Sequence, residues 1–260
     1  MMEWGFPLAG LLVGTMVGAT GVGGGSLMTP LLVLLLGVAP HTAIGTDLLY
    51  ASLTKVVGVG VHNIDKRVDW QVVRRLALGS LPTALLTLLW LHHSGSMGIR
   101  DGATIFVLGF VLLLTAVAMI AMPAMIRRAE RNGLAASGRF LVFQPTLTVL
   151  AGVLVGFLVT FTSIGAGALG APLLLFLYPK RLTPVRLVAT DLAHAIPLTL
   201  VAGIGHILLG NVDFPMLGQL LLGSIPGVWV GAYFSGRLPG GVLRSVIAVV
   251  LALVGLKLIS

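Results

Sequence analysis

The sequence predicts an all-helical protein that crosses a membrane several times and consists of two related halves with inverted topology. Three observations predict this fold class. Hydrophobic residues make up 57% of the 260 residues and charged residues only 9%, which is more apolar surface than a water-soluble fold can bury. The apolar residues form long runs, as membrane-spanning helices do. A glycine-rich stretch and its surroundings occur twice along the chain.

Ten apolar segments are predicted to form the helices. They are residues 5–20, 26–37, 42–61, 72–91, 102–125, 140–162, 168–178, 186–209, 215–235 and 241–259. A helix needs roughly 20 residues to cross the hydrocarbon core, so the second and seventh segments are predicted to be half-helices. The first run has no basic residues before it and no cleavage site followed by a soluble domain, so we expect it to belong to the mature protein.

The two halves of the sequence align with each other. TGVGGGSLMTP at 20–30 matches TSIGAGALGAP at 162–172 with an offset of 142, and TDL at 46–48 matches TDL at 190–192 with an offset of 144. The second offset also pairs His62 with His206, Asp69 with Asp213, and Ser80 with Ser224. Chance does not keep one register over so many positions, so the chain is a tandem duplication.

The division of the chain and its orientation follow from the basic residues. We predict a first transmembrane repeat over 1–125, a basic cytoplasmic linker over 126–139 and a second repeat over 140–260. Each repeat has a glycine-turn broken helix or re-entrant hairpin followed by three spanning helices. Of the 16 basic residues, 13 lie in the linker or in the loops at 62–75, 178–186 and 236–244. The positive-inside rule makes these loops cytoplasmic and both termini extracytoplasmic, so the repeats are inverted, as in many secondary transporters.

The two glycine turns are the first candidate binding elements. Irregular backbone survives inside a membrane only where it is buried in protein or lines a cavity. The half-helices after the turns, starting at Ser26-Leu27 and Ala168-Leu169, would direct free amides and positive dipole ends inward, which suits an anion. The predicted substrate contacts in the turns are Gly23, Gly24, Gly25, Ser26, Gly165 and Gly167. The alternative is a close-packed turn without a ligand. A nucleotide loop is excluded because no Gly-Lys-Ser/Thr sequence follows.

Three charged residues lie inside predicted membrane helices. Asp47, Asp191 and Lys55 would each cost roughly 2.5–3.5 kcal/mol near the bilayer centre unless paired or hydrated. The two aspartates are repeat equivalents, and each follows a threonine, Thr46 or Thr190, that we also predict to contact the substrate. Two roles remain open for the aspartates: a structural one, capping loose amides near the glycine turns, and proton coupling.

Lys55 has no basic counterpart, because Thr199 occupies the equivalent position. A lone intramembrane cation fits an anion pathway, and the alternative is that its long side chain extends to the cytoplasmic interface. His194 lies three residues after Asp191 on the same helical face and is a further candidate for proton coupling or a structural role. Small residues spaced by four, such as Gly10 and Gly14 or Gly223 and Gly227, indicate close helix packing, and a homodimer seam stays open.

With the repeats in register, residues 20–49, TGVGGGSLMTPLLVLLLGVAPHTAIGTDLL, resemble the signature of the sulfite exporter TauE/SafE family, also called TSUP. The resemblance covers essentially the whole chain. It implies a secondary transporter of the cytoplasmic (inner) membrane for sulfite, a sulfonate or a related organosulfur anion, without fixing the anion or the direction. The second turn departs from the pattern, with SIGAG for GVGGG, so the two turns need not bind equally. The chain has no cysteine, so such a compound would have to pass intact, without a thiol relay.

The expected function is proton-linked transport of this anion by alternating access. An uncoupled, channel-like conduit and a carrier for a non-sulfur organic anion are the alternatives. A membrane enzyme is disfavoured, because no nucleophile set, metal-ligand pair or cofactor motif has a spacing that places it on one face. The expected partners are the anion, protons and the lipid bilayer. We predict no cofactor and no metal. Nucleic acid is not an expected partner either, because the basic residues lie mostly in short loops, where they set the orientation in the membrane.

Overall fold

The computed structural model describes residues 4–20, 25–62, 67–94, 101–132, 138–165, 167, 169–179, 181–234 and 240–259. The regular structure of these residues is entirely helical. The helices are α1 (Gly5–Thr20), α2 (Gly25–Leu34), α3 (Pro40–His62), α4 (Trp70–Ser94), α5 (Asp101–Asn132), α6 (Gly138–Thr162), α7 (Gly170–Leu177), α8 (Pro184–Leu208), α9 (Phe214–Phe234) and α10 (Gly240–Ile259). They correspond in order to the ten predicted apolar segments.

The helix lengths agree with a polytopic membrane protein. Within the described residues, four helices are long and apolar enough to cross a bilayer, over Trp70–His93, Leu141–Thr162, Val185–Leu208 and Phe214–Gly231. The helices α2 and α7 have only 10 and 8 residues, so they are about 15 Å and 12 Å long, well short of a bilayer core of roughly 30 Å. The prediction of two short helices in equivalent places is confirmed.

The helix α5 extends beyond the predicted apolar segment 102–125 into the predicted linker. The helix α5 continues to Asn132, so the first half of the segment 126–139 is helical. Arginine, alanine and glutamate, which fill this stretch, all favour helix and prolong the preceding apolar run. The turn-forming Gly133 and Ser137, which suggested a linker, lie outside the described residues.

The helices pair across the two halves in a symmetric pattern. The helix α1 packs on α9 and its equivalent α6 packs on α4, while α3 packs on α8 and α5 on α10. The helices α3 and α8 run antiparallel, since Gly45 lies against Asn211 and Gly203 lies against Leu49. The interior of the protein is therefore formed where the two halves meet, and α3 and α8 cross at its centre.

Glycine stripes allow the closest of these helix contacts. On α9, Gly223 and Gly227 lie against the backbone carbonyls of Pro7 and Leu11 on α1. Only a residue without a side chain lets two helix backbones approach this closely. The stripe predicted from the sequence of α9 thus packs against α1 of the same chain.

We expect Gly223→Ala to destabilise the fold, because a Cβ atom there would overlap the Pro7 carbonyl oxygen. Overpacking of this kind costs about 1–3 kcal/mol, which should lower the Tm of the purified protein by about 2–10 °C. The matched control is Gly218→Ala on the same helix, where an added Cβ meets no atom within 4 Å. Alanine favours helix by up to about 1 kcal/mol over glycine, so the control should melt at or above the wild-type temperature. Equal melting of the two variants would contradict the packing.

Candidate functional site

A buried polar cluster lies where α3 and α8 cross. It contains Asp47 and Lys55 from α3 and Asp191 and His194 from α8, whose exposed fractions are 0%, 1%, 5% and 2%. The four residues that the sequence places inside the membrane are therefore covered by protein rather than by lipid. The antiparallel crossing brings them together, because it sets the middle of α3 beside the middle of α8.

Lys55 is the unusual member of this cluster. Its side chain is buried within the protein and does not extend to the surface. Its Nζ atom has no hydrogen-bond partner among the described residues, although it lies within electrostatic range of Asp191, Asp47 and His194. An ammonium group can donate three hydrogen bonds, and a buried charge without partners is costly. The arrangement is therefore suited to binding an anion.

Asp47 links segments from both halves of the chain. Its Oδ2 atom accepts hydrogen bonds from the Thr29 amide at 3.2 Å, from the Thr29 hydroxyl and from the Ser163 hydroxyl at 3.0 Å. Thr29 lies on α2, whereas Ser163 follows α6 and has a left-handed φ of 60°. The Oδ1 atom of Asp47 has no partner among the described residues. Sequence reasoning missed Thr29 and Ser163 as partners, although both fall in the aligned glycine-turn segments.

The second glycine turn uses its amides internally. Gly165 and Gly167 have φ angles of 119° and 117°, which strongly favour glycine. The Gly165 carbonyl oxygen accepts hydrogen bonds from the Leu169 and Gly170 amides, both at 3.2 Å. The expectation of a free amide at Leu169 is therefore wrong, because the turn itself satisfies the first donors of α7. This helix starts at Gly170 rather than at 168.

The first glycine turn is described only at its end. Gly23 and Gly24 lie outside the described residues, as does the side chain of Ser26. Gly25 is the first residue of α2.

The two threonines before the aspartates bind the backbone of the opposite half. The Thr46 hydroxyl accepts a hydrogen bond from the Asp213 amide, and the Thr190 hydroxyl accepts one from the Asp69 amide, both at 3.0 Å. Asp213 and Asp69 in turn cap α9 and α4 by accepting bonds from the Met216 and Val72 amides. These contacts are equivalent under the duplication and lie at opposite ends of the α3 and α8 pair.

A second equivalent pair of hydrogen bonds flanks the cluster. The Tyr50 hydroxyl donates to Ser224 Oγ at 2.8 Å, and His194 Nε2 lies 2.8 Å from Ser80 Oγ. Tyr50 and His194 occupy equivalent positions in the two repeats, as do Ser80 and Ser224. The two serines were not predicted as site residues, although the repeat register already singled them out.

One end of the α3 and α8 pair also carries an ion pair. Arg181 binds both carboxylate oxygens of Asp69, at 2.6 and 2.8 Å, and Arg186 lies 3.6 Å away. Burial would raise the pKa of Asp69, but the hydrogen bonds from Arg181 and Val72 and the nearby positive charges hold it below its ordinary value. The corresponding connection in the first half, residues 35–39, contains no basic residue. The ion pair is therefore a property of one end only.

A buried histidine and an apolar cavity are two further features of the described structure. His206 is buried with its Nε2 atom 3.0 Å from the Thr160 carbonyl oxygen. The side chain of His62, its repeat equivalent, lies outside the described residues. A cavity of about 320 Å³ lies between α1, α2 and α10, and its walls are almost entirely apolar.

Comparison with known proteins gives consistent results along the chain. The sequence model of the family described as "Sulfite exporter TauE/SafE" matches residues 6–258. The probable membrane transporter protein YjnA of Bacillus subtilis (strain 168) is 40% identical over 208 residues, which cover 80% of each chain. The probable membrane transporter protein MJ0441 of Methanocaldococcus jannaschii is 25% identical over 215 residues, covering 79% of this chain and 72% of the relative. No solved structure matches the chain.

Proposed function

Because the chain belongs to the sulfite exporter TauE/SafE family of membrane transporters, we propose that it moves a small sulfur-containing oxyanion across the cytoplasmic membrane. Sulfite, a sulfonate or a related organosulfur anion is the proposed substrate class. The observation that carries this proposal is the Lys55 ammonium, which is buried between the two halves and has no hydrogen-bond partner among the described residues. A transported anion would supply the hydrogen-bond acceptors that this ammonium lacks.

The proposed binding site surrounds Lys55. The glycine turn at residues 23–26 would contribute backbone amides and the Ser26 hydroxyl. The second turn would contribute less through its helix start, since the Leu169 and Gly170 amides already donate to Gly165. Gly165 and Gly167 then mainly shape the wall of the site. Thr46 and Thr190, at opposite ends of the α3 and α8 pair, remain able to donate a hydroxyl hydrogen to the substrate at different points of its path.

Inverted repeats and alternating access are the proposed mechanism. Two observations support inversion: α3 is antiparallel to its equivalent α8, and α5 is antiparallel to its equivalent α10, because Gly109 lies against Leu258 and Gly255 lies against Leu113. In such a fold the substrate site lies at the repeat interface near the midplane, and one repeat moves against the other. The symmetric hydrogen bonds of Thr46 and Thr190 join the halves at both ends of this interface.

The proposed carrier is linked to protons and has both termini outside the cell. Asp47, Asp191 and His194 are the titratable groups beside Lys55, and each is buried among the helices that would move. The end of the interface with the Asp69 and Arg181 ion pair would face the cytoplasm, because the loops rich in basic residues lie there. The two repeats would comprise residues 1–125 and 140–260.

The test is anion flux into proteoliposomes that contain a lumenal pH dye, with protein-free liposomes in parallel. We expect labelled sulfite to enter with saturable kinetics and with an acid shift of the dye. Uptake of methanesulfonate should be measured in parallel. Methanesulfonic acid is a strong acid, so it is fully ionised at the pH of the assay and no neutral form leaks through the lipid. Flux that does not saturate and cannot build a gradient would indicate a channel-like conduit. Flux equal to that of empty liposomes for both anions would reject this substrate class.

A further inference from the structure

We infer that the two equivalent buried carboxylates have different roles: Asp191 carries the proton that moves with the anion, and Asp47 is a fixed structural link between the two halves. The inference rests on the proposed function and specifies which group would provide its proton linkage. It makes Asp47 a positioning residue and Asp191 the residue that changes its charge during transport.

The partners of Asp47 hold it in place. One carboxylate oxygen, Oδ2, accepts hydrogen bonds from the amide and hydroxyl of Thr29 and from the hydroxyl of Ser163. These donors belong to α2 of the first half and to the turn after α6 of the second half, so Asp47 joins three segments of chain. Hydrogen bonds to a charged acceptor are about twice as strong as neutral ones. Loss of the charge on Asp47 would weaken all three contacts at once.

The corresponding donors are missing around Asp191. The duplication places Ala171 at the position of Thr29 and Gly21 at the position of Ser163, and neither has a hydroxyl group. The backbone of Gly170 lies against Asp191 Oδ1 so closely that a Cβ atom there would overlap this oxygen, whereas the first half has Met28 at that position. Gly170 thus lets the Asp191 carboxylate pack against helix backbone, whereas the first half provides side-chain donors to Asp47.

Asp191 differs from Asp47 in what balances its charge. Lys55 acts electrostatically on both carboxylates, without a salt bridge to either in the described part of the chain, but hydrogen bonds like those of Asp47 are not seen at Asp191 there. His194, also on α8, is the other titratable group near Lys55 and is bound to Ser80. Of the other helices packed on α8, α7 has no titratable residue, α4 contributes Ser80, and α6 has Arg139 only at its far end.

The neighbouring carboxylate of Asp69 is already paired. The Asp69 carboxylate, whose amide is bound by Thr190, is neutralised by Arg181 and Arg186. Asp191 is therefore the carboxylate whose charge is balanced mainly by Lys55.

This arrangement links one proton to one monoanion. Without substrate, the Lys55 ammonium acts on two carboxylates, of which Asp47 is stabilised mainly by its three hydrogen bonds and Asp191 mainly by Lys55. An entering monoanion would add one negative charge to the buried site, which is costly unless it is neutralised. Asp191 then accepts one proton from water on the open side, and the anion takes over the contact with Lys55. On the opposite side the anion leaves and the O–H bond of Asp191 breaks, so proton and anion move together.

The test compares Asp191→Asn with Asp47→Asn, which are isosteric changes at equivalent positions. In proteoliposomes we expect Asp191→Asn to lose the dye response. The net sulfite uptake that external acid drives should fall at least about tenfold in this variant. Exchange of labelled for unlabelled sulfite should stay within about threefold of wild type, because exchange needs no proton transfer. Asp47→Asn keeps an oxygen acceptor for Thr29 and Ser163, so it should retain the dye response. Loss of the response in Asp47→Asn alone, or its survival in Asp191→Asn, would overturn the inference.

A second measurement does not depend on the transported anion. Infrared difference spectra of the purified protein on acidification should show the carbonyl stretching band of a protonated carboxylic acid. Because the chain has 8 aspartate and glutamate residues, the comparison is of band intensity. We expect Asp47→Asn to keep the wild-type intensity and Asp191→Asn to lose the share of one carboxyl group. A loss of intensity in Asp47→Asn and not in Asp191→Asn would reverse the assignment. If wild type transports no sulfite, the proposed substrate fails, while the infrared result still decides which carboxylate binds the proton.

Discussion

Replacing Lys55 with methionine is expected to abolish saturable anion flux and to leave the protein folded. The ammonium is buried, has no hydrogen-bond partner among the described residues, and acts electrostatically on both Asp47 and Asp191. Removing one partner of a buried charge pair costs about 2–5 kcal/mol, which corresponds to at least about a 30-fold loss of anion affinity. Methionine has a similar volume, so the packing around α3 should be kept.

The stability of this variant separates a binding role from a structural one. Lys55→Met leaves the Asp191 carboxylate without its balancing charge, but this group can then bind a proton, so we expect the Tm to stay within about 5 °C of wild type. A larger drop would show that Lys55 mainly stabilises the fold. Thr199→Val, at the equivalent position of the second half, is the matched control. The Thr199 hydroxyl donates to the carbonyl of Ala195 on its own helix, so flux should be unaffected. Wild-type sulfite affinity in Lys55→Met would remove Lys55 from the site.

Replacing Asp69 with asparagine is expected to open the end of the molecule that Arg181 closes. Asparagine is as good a helix N-cap as aspartate, so the contact with the Val72 amide should survive while the ion pairs with Arg181 and Arg186 are lost. The matched control is Asp213→Asn, which changes the equivalent cap at the opposite end. Neither Arg181 nor Arg186 pairs with Asp213 in the described structure. A difference between the two variants therefore reports the ionic contribution alone.

The chain contains no cysteine, so a single introduced thiol can report this opening. Ala189 is 1% exposed on α8, next to Thr190, which binds the Asp69 amide. A cysteine at Ala189 should react with a membrane-impermeant maleimide about tenfold faster in Asp69→Asn than in Asp213→Asn, since charge-assisted hydrogen bonds contribute about 1.5–3 kcal/mol. Equal labelling rates would show that the ion pair does not hold this end closed.

The pH dependence of the same ion pair has a definite sign. Because the pKa of Asp69 lies below its ordinary value, its stabilising contribution is present in full above about pH 4 and is lost as the pH falls through the lowered value. The thiol itself reacts faster as the pH rises, because its thiolate is the nucleophile, so labelling at residue 189 is compared between the two backgrounds at each pH. The Asp69→Asn background should be labelled faster than the wild-type background by a constant factor near neutrality, and this factor should fall towards one only in strong acid.

The sequence by itself determined the local features of this protein. The ten helices, the two short helices α2 and α7, and the equivalence of Asp47 and Asp191 all follow from hydropathy and repeat register. Hydrophobic runs determine which segments enter a membrane, and a duplication keeps its register along the chain, so neither depends on how the helices are arranged. The helical continuation of α5 to Asn132 was the exception, because turn-forming residues outweighed the helix propensity of their neighbours.

The tertiary structure alone decided which partners the buried groups have. Thr29 and Ser163 reach Asp47 from positions 18 and 116 residues away, and Asp69 meets Arg181 over 112 residues. Residues this far apart in sequence meet because α3 and α8 pack antiparallel, and because α2 and the second glycine turn pack against these two helices. Hydropathy is insensitive to such contacts, because each depends on helix positions and side-chain directions. The difference between the two aspartates is therefore visible only in the folded protein.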